Sequence, residues 1–165
     1  MEIKTPNGRT KLRVHGELRG ADLSGKNLRG VSLEDTDLRG TNFSQADLSG
    51  ANFSSADLRD ANLSNANLAG ARFDQANLQG ANLAGADLYW ASFYRANLQG
   101  ANLEFARLQG ADMTEVNLRS ANLRNANLGR DNLGGGTRLN GADLTGASAH
   151  GASFEDVEDD ERTRY

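Results

Sequence analysis

The chain of 165 residues contains no cysteine, one proline and only 6% aromatic residues. The lack of cysteine excludes a disulfide framework and any thiolate site. The two histidines, His15 and His150, stand near opposite ends of the sequence, so they predict no shared metal site, and no cofactor is expected. No apolar run approaches the length of a membrane-spanning helix, and we expect no membrane partner.

Neither acidic nor basic residues are present in large excess. The 18 basic and 22 acidic residues give a net charge of −4, which does not favour direct binding to nucleic acid. The first residues, MEIKTPNGRTKLRVHG, lack the apolar segment of a signal peptide. The cytoplasm is therefore the expected compartment.

The sequence does contain a strict five-residue repeat. With Leu or Phe taken as the centre of each unit, and Met once, centres recur from Leu18 to Leu133 in 24 consecutive units. The residue two before the centre is usually Ala, and the residue directly before it is usually Asn or Asp. A period this short and regular is typical of a solenoid, in which each repeat contacts its neighbours.

Each unit has the pattern of a short extended segment followed by a turn. In the unit 81–85, alternation places Ala81 and Leu83 on the inner face and Asn82 on the outer face. The fifth position is often Gly, Asn or Asp, which suit turns. An α-helix does not fit, because a step of five residues rotates the apolar position by roughly 140° and would spread leucine around the helix.

These units resemble the pentapeptide repeat family, whose units read A-(D/N)-(L/F)-X-X, over residues 16–156. The resemblance implies an all-β fold, a right-handed quadrilateral parallel β-helix with four units in each square coil. The sequence itself supports a 20-residue coil, because Phe53, Phe73 and Phe93 recur at that interval and are followed by Met113 and Leu133. One interior column of large side chains is expected, formed by Phe53, Phe73, Phe93, Met113 and Phe154.

The repeat is interrupted once, at Gly134-Gly135-Gly136, where the register slips by one residue. A corner insertion is the favoured interpretation, since a phosphate-binding loop would need a following Lys-Ser/Thr and a helix. Asp131, like Lys26, stands where the repeat has Ala, and partial exposure of both charges is expected. About seven coils are predicted, the last units having the centres Leu139, Leu144, Ala149 and Phe154.

The two ends differ from the repeat. Residues 1–15 are predicted to form a β-hairpin or strand that caps the first coil, because strand-like segments flank Asn7-Gly8. Leu12 and Val14 are the side chains expected to cover that coil. Residues 157–165 are acidic and lack an apolar face, so this tail is predicted to be disordered.

No catalytic residues are predicted, because serines and acids recur as surface positions of the repeat and form no nucleophile–base pair. The protein is not expected to be an enzyme. Arg19, Arg39 and Arg59 share one wall with three acids, Glu17, Asp37 and Asp57, which favours a self-paired surface over a phosphate-binding stripe. The recurring amides are interpreted as a hydrogen-bonded ladder, formed by Asn62, Asn82, Asn102 and Asn122.

Two surface features exceed what the repeat needs. Aromatic side chains beside an arginine are typical of interface anchors, and they form a candidate partner patch of Tyr89, Trp90, Tyr94, Arg95 and Phe105. A wall with seven acids against Arg72 and Arg95, −7 + 2 = −5, forms a candidate acidic wall of Glu34, Asp35, Asp74, Asp112, Glu115, Glu155 and Asp156.

Two functions are compatible with this sequence. The first is a non-catalytic scaffold that binds another, unidentified protein. The second follows from the resemblance alone: some family members bind DNA gyrase and related topoisomerases by imitating duplex DNA, and so confer resistance to inhibitors. A duplex as long as the expected rod, about 34 Å, carries roughly 20 charges. The acidic wall has a net charge of −5, so the scaffold is the favoured hypothesis.

Overall fold

A computed structural model describes residues 18–165 together with the backbone of two short strands, β1 (Glu2–Lys4) and β2 (Thr10–Arg13). The strands pair antiparallel, with Ile3 opposite Leu12. The expected contact of Leu12 and Val14 with the first coil lies outside the described residues. The described part of the chain contains no helix, and therefore none that could cross a membrane.

From residue 18 onward the chain winds into stacked coils with four walls. The residue before each centre pairs in parallel with the residue 20 positions later, as Asn62 does with Asn82 and Asn82 with Asn102. We number the walls by their centres. Wall I has Leu18, Leu38, Leu58, Leu78, Leu98, Leu118 and Leu144; wall II has Leu23, Phe43, Leu63, Leu83, Leu103, Leu123 and Ala149; wall III has Leu28, Leu48, Leu68, Leu88, Leu108, Leu128 and Phe154; wall IV has Leu33, Phe53, Phe73, Phe93, Met113 and Leu139.

A column of phenylalanine rings lies inside wall IV. Phe53, Phe73 and Phe93 are fully buried and stack in parallel, with ring centroids 4.9 Å and 4.8 Å apart. Phe43 meets Phe53 from the opposite wall, edge to face, at 5.9 Å. The stacking distance equals the spacing of neighbouring β-strands, so the coil height brings the rings into contact.

Every backbone amide of a typical unit has an acceptor, as the unit 61–65 shows. The amide of Ala61 closes the turn, that of Asn62 donates to the coil below, and that of Leu63 donates to the coil above. The amide of Ser64 donates to Oδ1 of Asn62, and the amide of Asn65 donates to the coil above. The Asn or Asp that usually stands before the centre therefore accepts the one amide of the unit that no neighbouring coil reaches.

Threonine can replace alanine inside the coil because its hydroxyl donates a hydrogen bond to a backbone carbonyl oxygen. Thr41 and Thr137 are both fully buried at inner positions. Their Oγ1 atoms donate at 2.6 Å and 2.7 Å to the carbonyl oxygens of Leu18 and Leu108 in the coil below. These substitutions therefore leave no buried hydroxyl without a partner.

The interruption of the repeat is larger than the one-residue slip predicted from the sequence. Inter-coil pairing changes from a spacing of 20 to 26 residues, so that Asp112 pairs with Arg138 and Asn127 with Ser153. Six residues, 131–136, leave the wall as a loop. Leu133 was expected in the core above Met113 but is 77% exposed at this loop.

The longer insertion moves the last coil by one wall relative to the prediction. Leu139 follows Met113 in wall IV, and Phe154 lies above Leu128 in wall III. The expected place of Phe154 in the phenylalanine column is therefore wrong.

The predicted disorder of residues 157–165 is also corrected. Val157 packs against the core, Glu158 pairs with Arg138, and Arg164 pairs with Asp143. The hydroxyl of Thr163 donates to the carbonyl of Leu139 at 2.8 Å, as threonine does elsewhere in the coil. Backbone pairing to the coil below orders this segment, and such pairing requires no apolar face.

Candidate protein-interaction surface

Asp131 organises the loop 131–136. Its Oδ1 accepts the amides of Leu133 and Gly135, each at 2.8 Å, and its Oδ2 accepts Nε1 of Trp90 at 2.6 Å. The amide of Asp131 donates in turn to the carbonyl of Gly135 at 2.8 Å. The Trp90 hydrogen bond is the main cause that lowers the pKa of Asp131, and the carboxylate stays ionised although Asp131 is buried.

The loop rests on two aromatic side chains of wall III. The rings of Tyr89 and Trp90 stack at 5.7 Å, and the Tyr89 hydroxyl accepts the amide of Asn132 at 3.2 Å. Trp90 lies over Gly110, where an added Cβ atom would overlap with Cδ1 of the indole. Glycine at this corner therefore makes room for the indole to reach the loop.

The result is a hydrogen-bonded site with exposed apolar side chains, which we call the loop edge and define as Tyr89, Trp90 and Leu133. Trp90 is 50% exposed and Leu133 is 77% exposed, and both are bonded to the carboxylate of Asp131. Because the indole N–H and the tyrosine hydroxyl already bond the loop, the outward surface of this site is mainly apolar.

The candidate aromatic patch is divided among three corners of the solenoid. Tyr89 and Trp90 form one corner, and Tyr94 and Arg95 form the turn at the next. There the guanidinium of Arg95 lies 4.9 Å from the centroid of the Tyr94 ring. Phe105 is 61% exposed at a third corner, at the other end of wall III. Only Tyr89 and Trp90 of this patch are in mutual contact through their rings.

The candidate acidic wall is also divided, and most of it is paired. Five of its residues lie on wall IV, but Glu155 and Asp156 lie on wall III because the insertion is longer than predicted. Asp74, Asp112, Glu115 and Asp156 form ion pairs of 2.7–3.0 Å with arginine side chains, those of Arg72, Arg138, Arg95 and Arg130. The hydrogen bond from Arg95 is the main cause that lowers the pKa of Glu115.

Two arginines of the row on wall I, Arg39 and Arg59, are paired with neighbouring acids as predicted, and the Glu17 expected beside Arg19 lies outside the described residues. Arg39 bonds Asp37 at 2.6 Å and Arg59 bonds Asp57 at 2.7 Å, which holds the pKa of both carboxyl groups below the ordinary range. A shallow cavity of about 550 Å³ runs along this row. Its positive charge is already compensated, so it is a poor site for an anion.

The asparagine ladder of wall II is confirmed. Nδ2 of Asn82 donates to Oδ1 of Asn62, and Nδ2 of Asn62 donates to Asn42, at 3.3 Å and 3.2 Å. Asp22 is the lowest residue of the ladder. Its carboxylate accepts a hydrogen bond from Nδ2 of Asn42 at 3.0 Å, and a carboxylate carries no N–H to donate further.

Lys26 is exposed, in agreement with the sequence prediction. The expected partial exposure of Asp131 is wrong, because Asp131 is buried and its carboxylate accepts hydrogen bonds from Trp90 and two loop amides.

The described residues hold no group of three or more histidine, aspartate or glutamate side chains arranged for a metal ion.

The sequence analysis does not predict the surface role of Leu133 in the loop edge, nor that of Asp131, whose carboxylate holds the loop. The available signal is the acidic residue at position 131, where the repeat has Ala. Its partner Trp90 lies 41 residues earlier, and no local pattern connects the two.

Comparison with known proteins gives two matching family models. The family model described as a pentapeptide repeat region matches residues 26–103. The model described as pentapeptide repeats (8 copies) matches residues 91–130 and 135–157. The interval between the last two matches falls within the loop. None of the curated proteins matches the chain.

Several solved structures are similar to it. HetL, a pentapeptide repeat protein involved in heterocyst differentiation regulation in the cyanobacterium Nostoc sp. strain PCC 7120, is 31% identical, with 85% of this chain and 70% of HetL covered and a TM-score of 0.44. The protein alr5209 of the same organism is 32% identical over 69% of this chain and 73% of its own, with a TM-score of 0.33. QnrB1, a plasmid-mediated fluoroquinolone resistance protein, is 23% identical over 87% and 84%, with a TM-score of 0.41.

Proposed function

Because the chain belongs to the pentapeptide repeat family, whose members form right-handed quadrilateral β-helices and generally bind proteins or serve structural roles rather than catalyse reactions, we propose that it is a non-catalytic scaffold. Its rod of about seven coils presents the loop edge to a partner protein. The observation that carries this proposal is the pair of exposed apolar side chains, Trp90 and Leu133, held by one buried carboxylate.

Preorganisation makes this site suitable for binding. The hydrogen bonds that the loop amides donate to Asp131 order the backbone before any partner binds, so less conformational entropy is lost on association. Tryptophan and tyrosine are enriched among the residues that dominate binding energy in interfaces. The other exposed aromatic of the same wall, Phe105, has no comparable support.

The proposal is tested with immobilised protein and a soluble extract in which partners are identified by mass spectrometry. The variant Leu133→Ser removes the exposed apolar side chain but leaves the Asp131 bonds, which use the backbone of that residue. Phe105→Ser is the matched control, since it removes another exposed apolar side chain, 61% exposed against 77% for Leu133, from a different corner. We expect the recovered amount of a specific partner to fall at least about tenfold with Leu133→Ser and to stay unchanged with Phe105→Ser. Equal recovery with both variants would contradict the role of the loop edge.

Topoisomerase binding by imitation of duplex DNA has weaker support. Four of the seven acids proposed to supply the charge are neutralised by arginine, and two of the seven lie on a different wall from the rest. A supercoiling assay with gyrase and a quinolone tests this alternative. Restored supercoiling on addition of the protein would support it, and unchanged inhibition would exclude it.

A further inference from the structure

The loop 131–136 contains a complete repeat unit that the solenoid does not use. Residues 131–135 read Asp-Asn-Leu-Gly-Gly, with Asn132 and Leu133 in the order that every wall requires. The unit nevertheless stands outside, and Arg138 instead of Asn132 pairs with Asp112. The chain at this point is therefore compatible with two registers.

In the second register the unit would occupy wall IV. Leu133 would lie above Met113, and Gly136 alone would remain as an extra residue. Every later unit would then move on by one wall. Asp143 would lie above Asn122, where the structure has Ser148, and Phe154 would return to the phenylalanine column. Burial of Leu133 favours this second register, because the side chain is 77% exposed in the observed one.

Asp131 opposes the second register. Its side chain would take the inner position above Ala111 in wall IV, a position otherwise held by Val31, Ala51, Ala71 and Ala91, all fully buried. A carboxylate there would have no cationic partner on the inner face, which is apolar. Outside the wall the same carboxylate is satisfied by Trp90 and by two loop amides.

We propose that the side chain of Asp131 is a latch that selects the register of the solenoid from residue 137 onward. The polar side chain of Asp131, which would be costly to bury on the apolar inner face, keeps the unit 131–135 out of the wall, and the Trp90 hydrogen bond holds the expelled loop against wall III. Loss of the latch moves the C-terminal coil by one wall and withdraws Leu133 from the surface. It also separates Asp156 from Arg130, which pair at 2.7 Å in the observed register. The latch does not depend on whether the loop edge binds a partner.

The absence of cysteine allows a direct test of the register. Thiols are introduced together by Asn122→Cys, Asp143→Cys and Ser148→Cys, so that position 122 can form a disulfide with only one of two competitors. Neighbouring strands lie about 4.8 Å apart, within the Cα separation that a disulfide requires. After mild oxidation, peptide mapping gives the ratio of the 122–148 bond to the 122–143 bond.

In the otherwise native chain we expect the 122–148 bond to exceed the 122–143 bond at least about tenfold, since Asn122 pairs with Ser148. Addition of Asp131→Ala is expected to reverse this ratio. Asp131→Val repeats the test with a side chain that wall IV already holds at Val31. An unchanged ratio in whichever of these variants folds, as judged by circular dichroism, would overturn the proposal.

Two further variants separate the charge from the hydrogen bond. Trp90→Phe removes the donor but keeps the carboxylate, and Asp131→Asn keeps a polar acceptor for Trp90. Both are expected to retain the 122–148 bond, because neither makes position 131 apolar. A reversed ratio with Trp90→Phe would show that exclusion of the charge is not what selects the register, and would overturn the proposal.

Discussion

Nε1 of Trp90 donates to Oδ2 of Asp131 at 2.6 Å, joining residues 41 positions apart in the chain. Trp90 occupies a corner of the coil with a φ of 56°, and Asp131 occupies the loop expelled from the wall above. Trp90 is the only tryptophan of the chain. Its fluorescence therefore reports on the loop without interference from another indole.

The loop is expected to open in acid. The pKa of Asp131 is lowered from its ordinary value of 3.8, so its contribution to stability is present above 3.8 and is lost as the pH falls through the lowered pKa. We expect the Trp90 emission to be constant from neutral pH to about 4 and to change below 3.8. The Asp131→Asn variant should lack this step, and circular dichroism distinguishes it from global unfolding. A step that persists in Asp131→Asn would assign it to another group.

Replacement of Gly110 by alanine is expected to lower the free energy of unfolding more than the same replacement of Gly100. Both are corner glycines with similar φ, 71° and 67°, but an added Cβ meets Trp90 at Gly110 and nothing within 4 Å at Gly100. Gly100→Ala should cost only the strain of the left-handed conformation, about 1–2 kcal/mol. Gly110→Ala should cost more and should also change the Trp90 emission spectrum. Equal denaturation midpoints and equal spectra would contradict the contact.

The phenylalanine column is expected to contribute strongly to stability. Phe73 is fully buried between Phe53 and Phe93, at 4.9 Å and 4.8 Å. Phe73→Ala should lower the free energy of unfolding by about 3–5 kcal/mol, through lost burial and the cavity left between the rings. Phe73→Leu should cost less, about 1–2 kcal/mol, because leucine is the centre on the other walls. Urea denaturation measures both, and equal losses would argue against specific packing of the rings.

The asparagine ladder is expected to be directional. Asn82→Asp removes the amide that donates to Asn62 and faces a carboxylate toward the carbonyl oxygen of that residue, at a cost of about 1–3 kcal/mol. Asp22→Asn at the lower end, where the side chain only accepts, should change stability by less than about 0.5 kcal/mol. The two unfolding curves provide the comparison. A larger loss for Asp22→Asn would contradict the direction of the ladder.

The unit, the four walls and the phenylalanine column were predictable because each depends on local spacing. The interval between Phe53 and Phe73 is one coil, and a regular coil places such residues in contact. The loop edge was not predictable in the same way. Leu133 continues the repeat perfectly in sequence, yet the structure leaves it exposed. The prediction of a disordered tail was wrong for the opposite reason, since Glu158 and Arg164 lack the repeat pattern but pair through the backbone.

The sequence alone determined the five-residue unit, the direction in which each side chain faces and the β-helical fold, because a solenoid is built from contacts between neighbouring repeats. Only the tertiary structure decided the register after residue 130, and with it the positions of Leu133, Phe154 and Asp156. The physical reason is that the sequence of repeat units is compatible with two registers. The choice between them depends on where the charge of Asp131 can be satisfied, beside Trp90 and outside the core.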